Sequence, residues 1–157
     1  MISKAQDKKL ELQERKKVLV VDDNEDALML EKILFAEVGF EVLEAKNASS
    51  GIAIAKTDKP DVVVMDMRLP DMGGIEAARI LRQDKETCSI PIVFVTGSVM
   101  PGEIRDLEVA AISNSALISK PINTITFAKD VTDFMNVKHM VDLTAKRAII
   151  ERLRARI

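Results

Sequence analysis

The stretch DVVVMDMRLPDMGGIEAARIL, residues 61–81, decides the fold of this chain. Its apolar run at residues 62–65 is too short to cross a membrane and is typical of a buried parallel strand. The run ends at the carboxylate of Asp66. A turn rich in Pro and Gly follows, and apolar residues then recur at helical spacing up to Leu81. A carboxylate at the end of a buried strand is costly unless a partner compensates its charge, so the rest of the chain must supply one.

The same alternation of strand and helix recurs along the chain. Apolar runs predict four further strands, at residues 18–21, 40–43, 90–95 and 116–119. Asn24 and Asn47 are predicted N-caps of the first two helices, and residues 100–111 form the weakest helical pattern. Ala27, Leu30 and Leu34 lie on one face of the first helix at helical spacing. Together these elements predict an α/β fold with a doubly wound, five-stranded parallel sheet of order 2-1-3-4-5, flavodoxin-like.

Composition limits the classes of function. The chain has 157 residues and a net charge of −2, with basic ends and an acidic middle. Residues 1–17 carry six basic and three acidic residues, and residues 143–157 carry five basic and one acidic residue. The middle of the chain carries twelve basic and 21 acidic residues. The acidic charge of the middle argues against nucleic acid as a ligand of the globule itself and leaves the basic ends open. With no run of about eighteen apolar residues, no secretory signal and a single Cys, the sequence predicts a cytoplasmic protein without a membrane span.

The chain divides into three predicted parts. Residues 1–16 form a charged N-terminal arm, residues 17–137 the folded domain, and residues 138–157 an extra C-terminal helix. The last segment has two apolar stripes at helical spacing over fewer than three heptads. It can fold back onto its own domain or pair with a second copy as a homodimer, and the sequence leaves both open.

Polar residues follow four of the five predicted strands. They are Asp22 and Asp23 after the first, Asp66 after the third, Thr96 after the fourth and Lys120 after the fifth. Because ligands bind outside the carboxyl ends of parallel strands, we expect these side chains to meet at one edge of the sheet. Three carboxylates at one place need a cation, and an all-oxygen donor set favours Mg²⁺, with Mn²⁺ as the alternative.

Thr96 and Lys120 add chemistry that a bare metal site does not need. A hydroxyl donates to an oxyanion and an ammonium compensates one. Both suit a phosphoryl group carried on Asp66 beside the metal. A carboxylate nucleophile, a metal and oxyanion donors are the requirements of phosphoryl transfer.

These residues resemble the receiver domain of bacterial two-component response regulators, of the CheY-like kind, over roughly residues 17–137. The matching motifs are Asp22-Asp23, Asp66 followed by RLPDMGG at residues 68–74, Thr96-Gly97 and Lys120-Pro121. Each motif alone is weak, but their order and spacing together are specific. The resemblance implies a signalling domain that accepts a phosphoryl group from a histidine kinase or a histidine phosphotransfer protein.

The resemblance also implies the role of each site residue. Asp66 would be the phosphoacceptor, with Thr96 and Lys120 holding the phosphoryl oxygens, and the Lys120–Pro121 bond would be cis. The implied Mg²⁺ ligands are Asp22, Asp23, Asp66 and the backbone carbonyl of Arg68. Such a domain is no enzyme for external substrates, although it catalyses its own phosphorylation and dephosphorylation. Without a DNA-binding output domain, it would signal by binding a downstream protein effector.

One position departs from the family pattern. Receivers usually have Tyr or Phe three residues before the lysine, as a rotamer switch coupled to the threonine, and this chain has Leu117 there. A receiver-like scaffold that no longer takes phosphate therefore stays an alternative. A phosphatase of the haloacid-dehalogenase kind is disfavoured, because it needs a second Asp two residues after the nucleophile, where this chain has Arg68.

Overall fold

The computed structural model describes residues 3–8, 15–97 and 112–137. Within these ranges the chain forms one sheet with helices on both faces, after a short helix at residues 4–8. The strands are β1 (Lys17–Val21), β2 (Glu41–Ala45), β3 (Val62–Asp66), β4 (Ile92–Thr96) and β5 (Ser115–Ser119). The helices are α1 (Glu25–Glu37), α2 (Ala48–Asp58), α3 (Gly74–Gln83) and α4 (Phe127–Asn136).

All strand pairs of the sheet are parallel, and the strand order is β2-β1-β3-β4-β5. This confirms the predicted α/β class, the number of strands and their order. The chain adds β2 on one side of β1 and β3 on the other, so the direction in which strands are added reverses between β1 and β3. A doubly wound sheet opens a crevice for a ligand at this point. The site therefore has to be sought at the carboxyl ends of these two strands.

The central strands are buried on both sides, as apolar runs without polar alternation predict. Alternate strand residues point to opposite faces, so the sheet divides the core into two clusters. One cluster joins the sheet to α1 and α4 and includes Val20, Phe35, Val64, Phe127 and Val131. The other joins it to α2 and α3 and includes Leu19, Ile52, Met65, Leu81 and Phe94.

Both predicted N-caps are confirmed. The side chain of Asn24 accepts from the amide of Ala27 over 2.9 Å, and that of Asn47 accepts from the amide of Ser50 over 2.8 Å. Gly39 has a φ of 93°, a left-handed conformation that suits glycine, and it follows the end of α1. These local signals fix where the helices begin and end, and hence where the strands before them must stop.

The most deeply buried side of α1 is not the face that carries Ala27, Leu30 and Leu34, although Leu34 packs against the core in part. The helix buries Leu28, Glu31 and Phe35, whereas Leu30 is 39% exposed. Apolar residues occur on more than one side of this helix, so their spacing does not by itself determine which side meets the sheet. This orientation of α1 places a carboxyl group, that of Glu31, in the interior.

Two predictions fall outside the described residues: the helix at residues 100–111 and the C-terminal extension at residues 138–157, with the homodimer suggested for it. Among the helices of the described ranges, none is both long and apolar enough to cross a membrane.

Candidate functional site

Three carboxylates meet at the carboxyl ends of β1 and β3. Asp22 directly follows β1, Asp66 is the last residue of β3, and the two strands are adjacent, with Val21 paired to Met65. One carboxylate oxygen from each of Asp22, Asp23 and Asp66 lies within 4.8 Å of the others. Asp22 is buried, Asp66 half-buried and Asp23 exposed. The cluster therefore runs from the interior to the solvent, so that a cation can reach it.

Lys120 supplies one positive charge to this cluster. Its Nζ donates to Oδ2 of Asp22 over 2.9 Å and to Oδ2 of Asp66 over 3.0 Å. Burial disfavours the ammonium, but its hydrogen bonds to the two carboxylates outweigh burial and raise the pKa of Lys120 above its ordinary value. One ammonium does not neutralise three carboxylates, so the cluster still attracts a cation.

The second oxygen of each inner carboxylate is fixed by the backbone. Oδ1 of Asp22 accepts from the amide of Asn24, and Oδ1 of Asp66 from the amide of Arg68, both over 2.9 Å. Each carboxylate is therefore held at both oxygens, which fixes its plane before any ligand arrives. Such preorganisation lowers the cost of binding a cation.

Thr96 completes the edge of the site from β4. It is 1% exposed and pairs with Ser119 of β5, and its carbonyl accepts from the amide of Lys120 over 2.7 Å. The Lys120–Pro121 bond is cis. Together these side chains surround a cleft of about 400 Å³, lined by Asp22, Asp23, Asn24, Asp66, Arg68, Thr96, Gly97 and Lys120. The structure thus brings every site residue predicted from the sequence into one cleft.

The loop between β3 and α3 packs tightly under Asp66. The amide of Gly74 donates to the carbonyl of Met67 over 2.9 Å, and Arg68 and Gly73 form an isolated antiparallel bridge. A Cβ placed on Gly74 would overlap the carbonyl oxygen of Asp66. The chain can turn this closely only because position 74 has no side chain.

Sequence reasoning missed Glu31. This side chain of α1 is 2% exposed and lines a small pocket of about 200 Å³ with Lys120 and Pro121. Burial, followed by the negative charges of Asp22 and Asp66, raises the pKa of Glu31 to about 8, although the charge of Lys120 acts in the opposite direction. A signal was present, because Glu31 stands three residues after Leu28 and four before Phe35, the spacing of one helix face.

Leu117 lies in the core. It is 2% exposed, pairs with Phe94 of β4, and belongs to the cluster that joins the sheet to α2 and α3. The position where receivers usually have an aromatic switch is therefore filled by a packed aliphatic side chain.

A doubly wound parallel sheet with an acidic cleft at its switch point, closed by a threonine and a lysine, is the architecture of a phospho-accepting signalling domain. Residues 18–132 match the response regulator receiver domain family, and the chain belongs to it. It is therefore a receiver domain of two-component signal transduction.

The chain is also similar to individual proteins. The chain is 30% identical over 120 residues to the polar-differentiation response regulator DivK of Brucella anthropi, covering 76% of this chain and 96% of DivK. It is 39% identical over 80 residues to protein PilH of Pseudomonas aeruginosa, covering 51% of this chain and 66% of PilH. The structure of chemotaxis protein CheY4 of Vibrio cholerae matches with a TM-score of 0.70 at 25% identity, covering 76% of this chain and 98% of CheY4.

Proposed function

We propose that Asp66 accepts a phosphoryl group from a histidine kinase or a histidine phosphotransfer protein, in a reaction that needs Mg²⁺. The observation that carries the proposal is the position of Lys120, whose ammonium contacts Asp66 from the same cleft that holds the three carboxylates. In that position the ammonium can exchange its contact with the Asp66 carboxylate for a contact with a phosphoryl oxygen once Asp66 is phosphorylated. Aspartyl phosphorylation with Mg²⁺ is general for the family to which this chain belongs.

The donor set fits Mg²⁺. Asp22, Asp23 and Asp66 offer oxygen ligands, and we assign the backbone carbonyl of Arg68 as a fourth. The receiver domain of the sensor histidine kinase PA1611 from Pseudomonas aeruginosa shares this fold at 20% identity and a TM-score of 0.70, and its structure has a magnesium ion coordinated in the active site cleft. When bound, the ion would neutralise charge that develops on the phosphoryl oxygens. Mn²⁺ has the same ligand preferences and is the alternative.

Side chains of the protein would carry out the transfer of the phosphoryl group. An Asp66 oxygen forms the bond to phosphorus while the phosphorus–nitrogen bond of the donor's phosphohistidine breaks, and the imidazole leaves with the electron pair and takes a proton from solvent. The hydroxyl of Thr96 and the ammonium of Lys120 then bind phosphoryl oxygens. Hydrolysis of the acyl phosphate by water reverses the modification. The domain would thus act only on itself and would signal by binding a downstream protein effector.

A mass measurement tests the assignment. The wild type, Asp66→Ala and Asp66→Asn are incubated with acetyl phosphate and Mg²⁺, and their intact masses are recorded, with Asp58→Asn as the control for an exposed carboxylate. We expect one phosphoryl adduct on the wild type and the control and none on either Asp66 variant. An unmodified wild type would favour a scaffold that takes no phosphate. Continuous release of phosphate from many substrates would favour a phosphatase.

Two further assignments stay predictions. We expect the protein in the cytoplasm, and we expect residues 138–157 to determine whether it forms a homodimer. Sedimentation of the full chain and of a chain ending at residue 137, each over a range of concentrations, measures the second point.

A further inference from the structure

Asp71 connects the loop after β3 to a different helix. Its Oδ1 accepts from the amide of Ala48 over 2.8 Å. Its Oδ2 accepts from the amide of Ser49 over 2.8 Å and from the hydroxyl of the same residue over 2.7 Å. All three donors belong to the first turn of α2, whereas Asp71 lies between β3 and α3. The carboxylate is thus a long-range cap of α2.

The local cap of α2 is separate. The side chain of Asn47 accepts from the amide of Ser50, so Asn47 and Asp71 bind different amides of the same helix end. The hydrogen bonds from Ser49 and Ala48 hold the pKa of the Asp71 carboxyl well below its usual range. Asp71 therefore stays ionised, as the positive end of the helix dipole favours.

The loop that carries Asp71 is also the loop that shapes the acidic cleft. It begins at Asp66, whose Oδ1 accepts from the amide of Arg68, and it closes where the amide of Gly74 donates to Met67. Asp71 lies between these two closures. A movement of Asp71 away from α2 would displace the backbone of Arg68, because only Leu69 and Pro70 lie between them.

We propose that Asp71 is a positioning residue for the cation site: by tying this loop to α2, it holds the carbonyl of Arg68 and the carboxylate of Asp66 where a divalent cation can bind both. The inference rests on the proposed function, since it assumes that the cleft binds Mg²⁺. It assigns Asp71 no contact with the ion.

The structure provides a matched control. Asp71→Asn replaces one acceptor oxygen with a donor and removes the charge, whereas Asn47→Ala removes a cap from the same helix end without touching the loop. Hydrogen exchange of the Arg68 and Gly74 amides is measured by NMR in metal-free protein. Mg²⁺ affinity is measured by calorimetry, and thermal unfolding compares the stability of the variants.

We expect both variants to unfold at a lower temperature, but only Asp71→Asn to change the site. In that variant the Arg68 and Gly74 amides should exchange faster, and the Kd for Mg²⁺ should rise about tenfold, as substitution of outer-shell partners of a metal often does. If Asp71→Asn does not fold, Ser49→Ala, which removes one donor, should raise the Kd in the same direction by less.

Other outcomes overturn the inference. Equal Mg²⁺ affinity in Asp71→Asn and the wild type would make Asp71 a helix cap and nothing more. An equal loss of affinity in Asn47→Ala would assign the effect to helix stability rather than to the loop. A wild type that does not bind Mg²⁺ would overturn the proposed cation site itself, and this result is distinct from the other two.

Discussion

The ammonium of Lys120 lies 3.0 Å from Oδ2 of Asp66, so a residue after the last strand compensates the charge of a residue at the end of the third. The same ammonium contacts Asp22, whose side chain is almost fully buried. Two carboxylates thus depend on one lysine. Removal of this lysine should affect both stability and cation binding.

Lys120→Met should destabilise the metal-free protein on the order of 1–3 kcal/mol at neutral pH, because it removes the ammonium that pairs with the buried carboxylate of Asp22. Mg²⁺ should stabilise the variant more than the wild type, since the ion no longer competes with an ammonium. Urea unfolding with and without Mg²⁺ measures both effects.

Lys129→Met is the control for this experiment. Lys129 pairs with Asp133 over 2.8 Å on the surface, and its side chain is 70% exposed. An exposed pair of this kind contributes about 0.3–0.5 kcal/mol. If Lys120→Met is no less stable than Lys129→Met, the ion pairs in the cleft contribute nothing to the fold.

Glu31 should make stability depend on pH in an unusual direction. Its pKa in the folded protein is raised to about 8 from an ordinary value of 4.5, so between these values the folded state holds a proton that the unfolded state has lost. The contribution of Glu31 to the free energy of unfolding is therefore greatest below about pH 4.5, and it falls as the pH rises towards 8. The change should be on the order of a few kcal/mol.

Glu31→Gln keeps the shape of the side chain and should remove this slope from metal-free urea unfolding curves recorded between pH 5 and 8. Glu31→Leu should be more stable than the wild type at pH 8, because an apolar side chain replaces a buried acid next to Leu28 and Phe35. Glu37→Gln, at the exposed end of the same helix, serves as the control. An unchanged slope in Glu31→Gln would mean that Glu31 is not its source, and that burial beside Asp22 and Asp66 does not raise the pKa of this carboxyl.

Gly74 and Gly73 are neighbours that differ in the space around them, so the same substitution at each can be compared. A Cβ on Gly74 would overlap the carbonyl oxygen of Asp66 and lie 3.0 Å from Cα of Met67, both of which are backbone atoms that cannot rotate away. A Cβ on Gly73 would meet no atom nearer than 3.9 Å among the described residues. Gly74→Ala should therefore destabilise the protein by about 1–3 kcal/mol and weaken Mg²⁺ binding, whereas Gly73→Ala should do neither.

Thermal unfolding and calorimetry on the two glycine variants measure these effects. Since Asp66 must move to admit the methyl group of Gly74→Ala, the loss of stability and the loss of Mg²⁺ affinity should occur together. A stable Gly74→Ala with normal affinity would mean that the turn adapts without displacing Asp66.

The sequence predicted those parts of the fold that depend on local patterns. Apolar runs identified the strands, although Glu41 interrupts the run that predicts β2. Asn24 and Asn47 marked the helix starts, because each side chain accepts from the amide three residues further on. The site followed from topology, because parallel strands bring their carboxyl ends to one edge. The side of α1 that meets the sheet could not be predicted in this way, since apolar residues such as Met29 and Ile33 also lie on its exposed side.

Two contacts depend on which sides of separate elements meet, and the spacing of residues along the chain does not settle that. Glu31 looks like an ordinary surface acid until the buried side of α1 is known. Asp71 looks like a turn residue, because its partners Ala48 and Ser49 lie more than twenty residues away on another helix. In both cases the decisive interaction is between elements that meet only in the folded state.

Asp23 offers the most direct test of the cation site, because it is the exposed member of the carboxylate cluster. Mg²⁺ should stabilise the wild type by about 2.7 kcal/mol at a hundredfold excess over its Kd, since a ligand that binds only the folded state shifts unfolding by mass action. Chelation of the ion should reverse the effect. Asp23→Asn should lose most of this stabilisation.

The metal-free stability of Asp23→Asn should equal or slightly exceed that of the wild type, because the substitution removes one of three repelling charges. Asp26→Asn, an exposed acid in the first turn of α1, changes the net charge equally and should keep the full response to Mg²⁺. Thermal unfolding of the three proteins with Mg²⁺ and with a chelator compares them directly. If both variants lose the same fraction of the response, the ion acts through the general negative charge of the surface, and the assignment of Asp23 as a ligand is wrong.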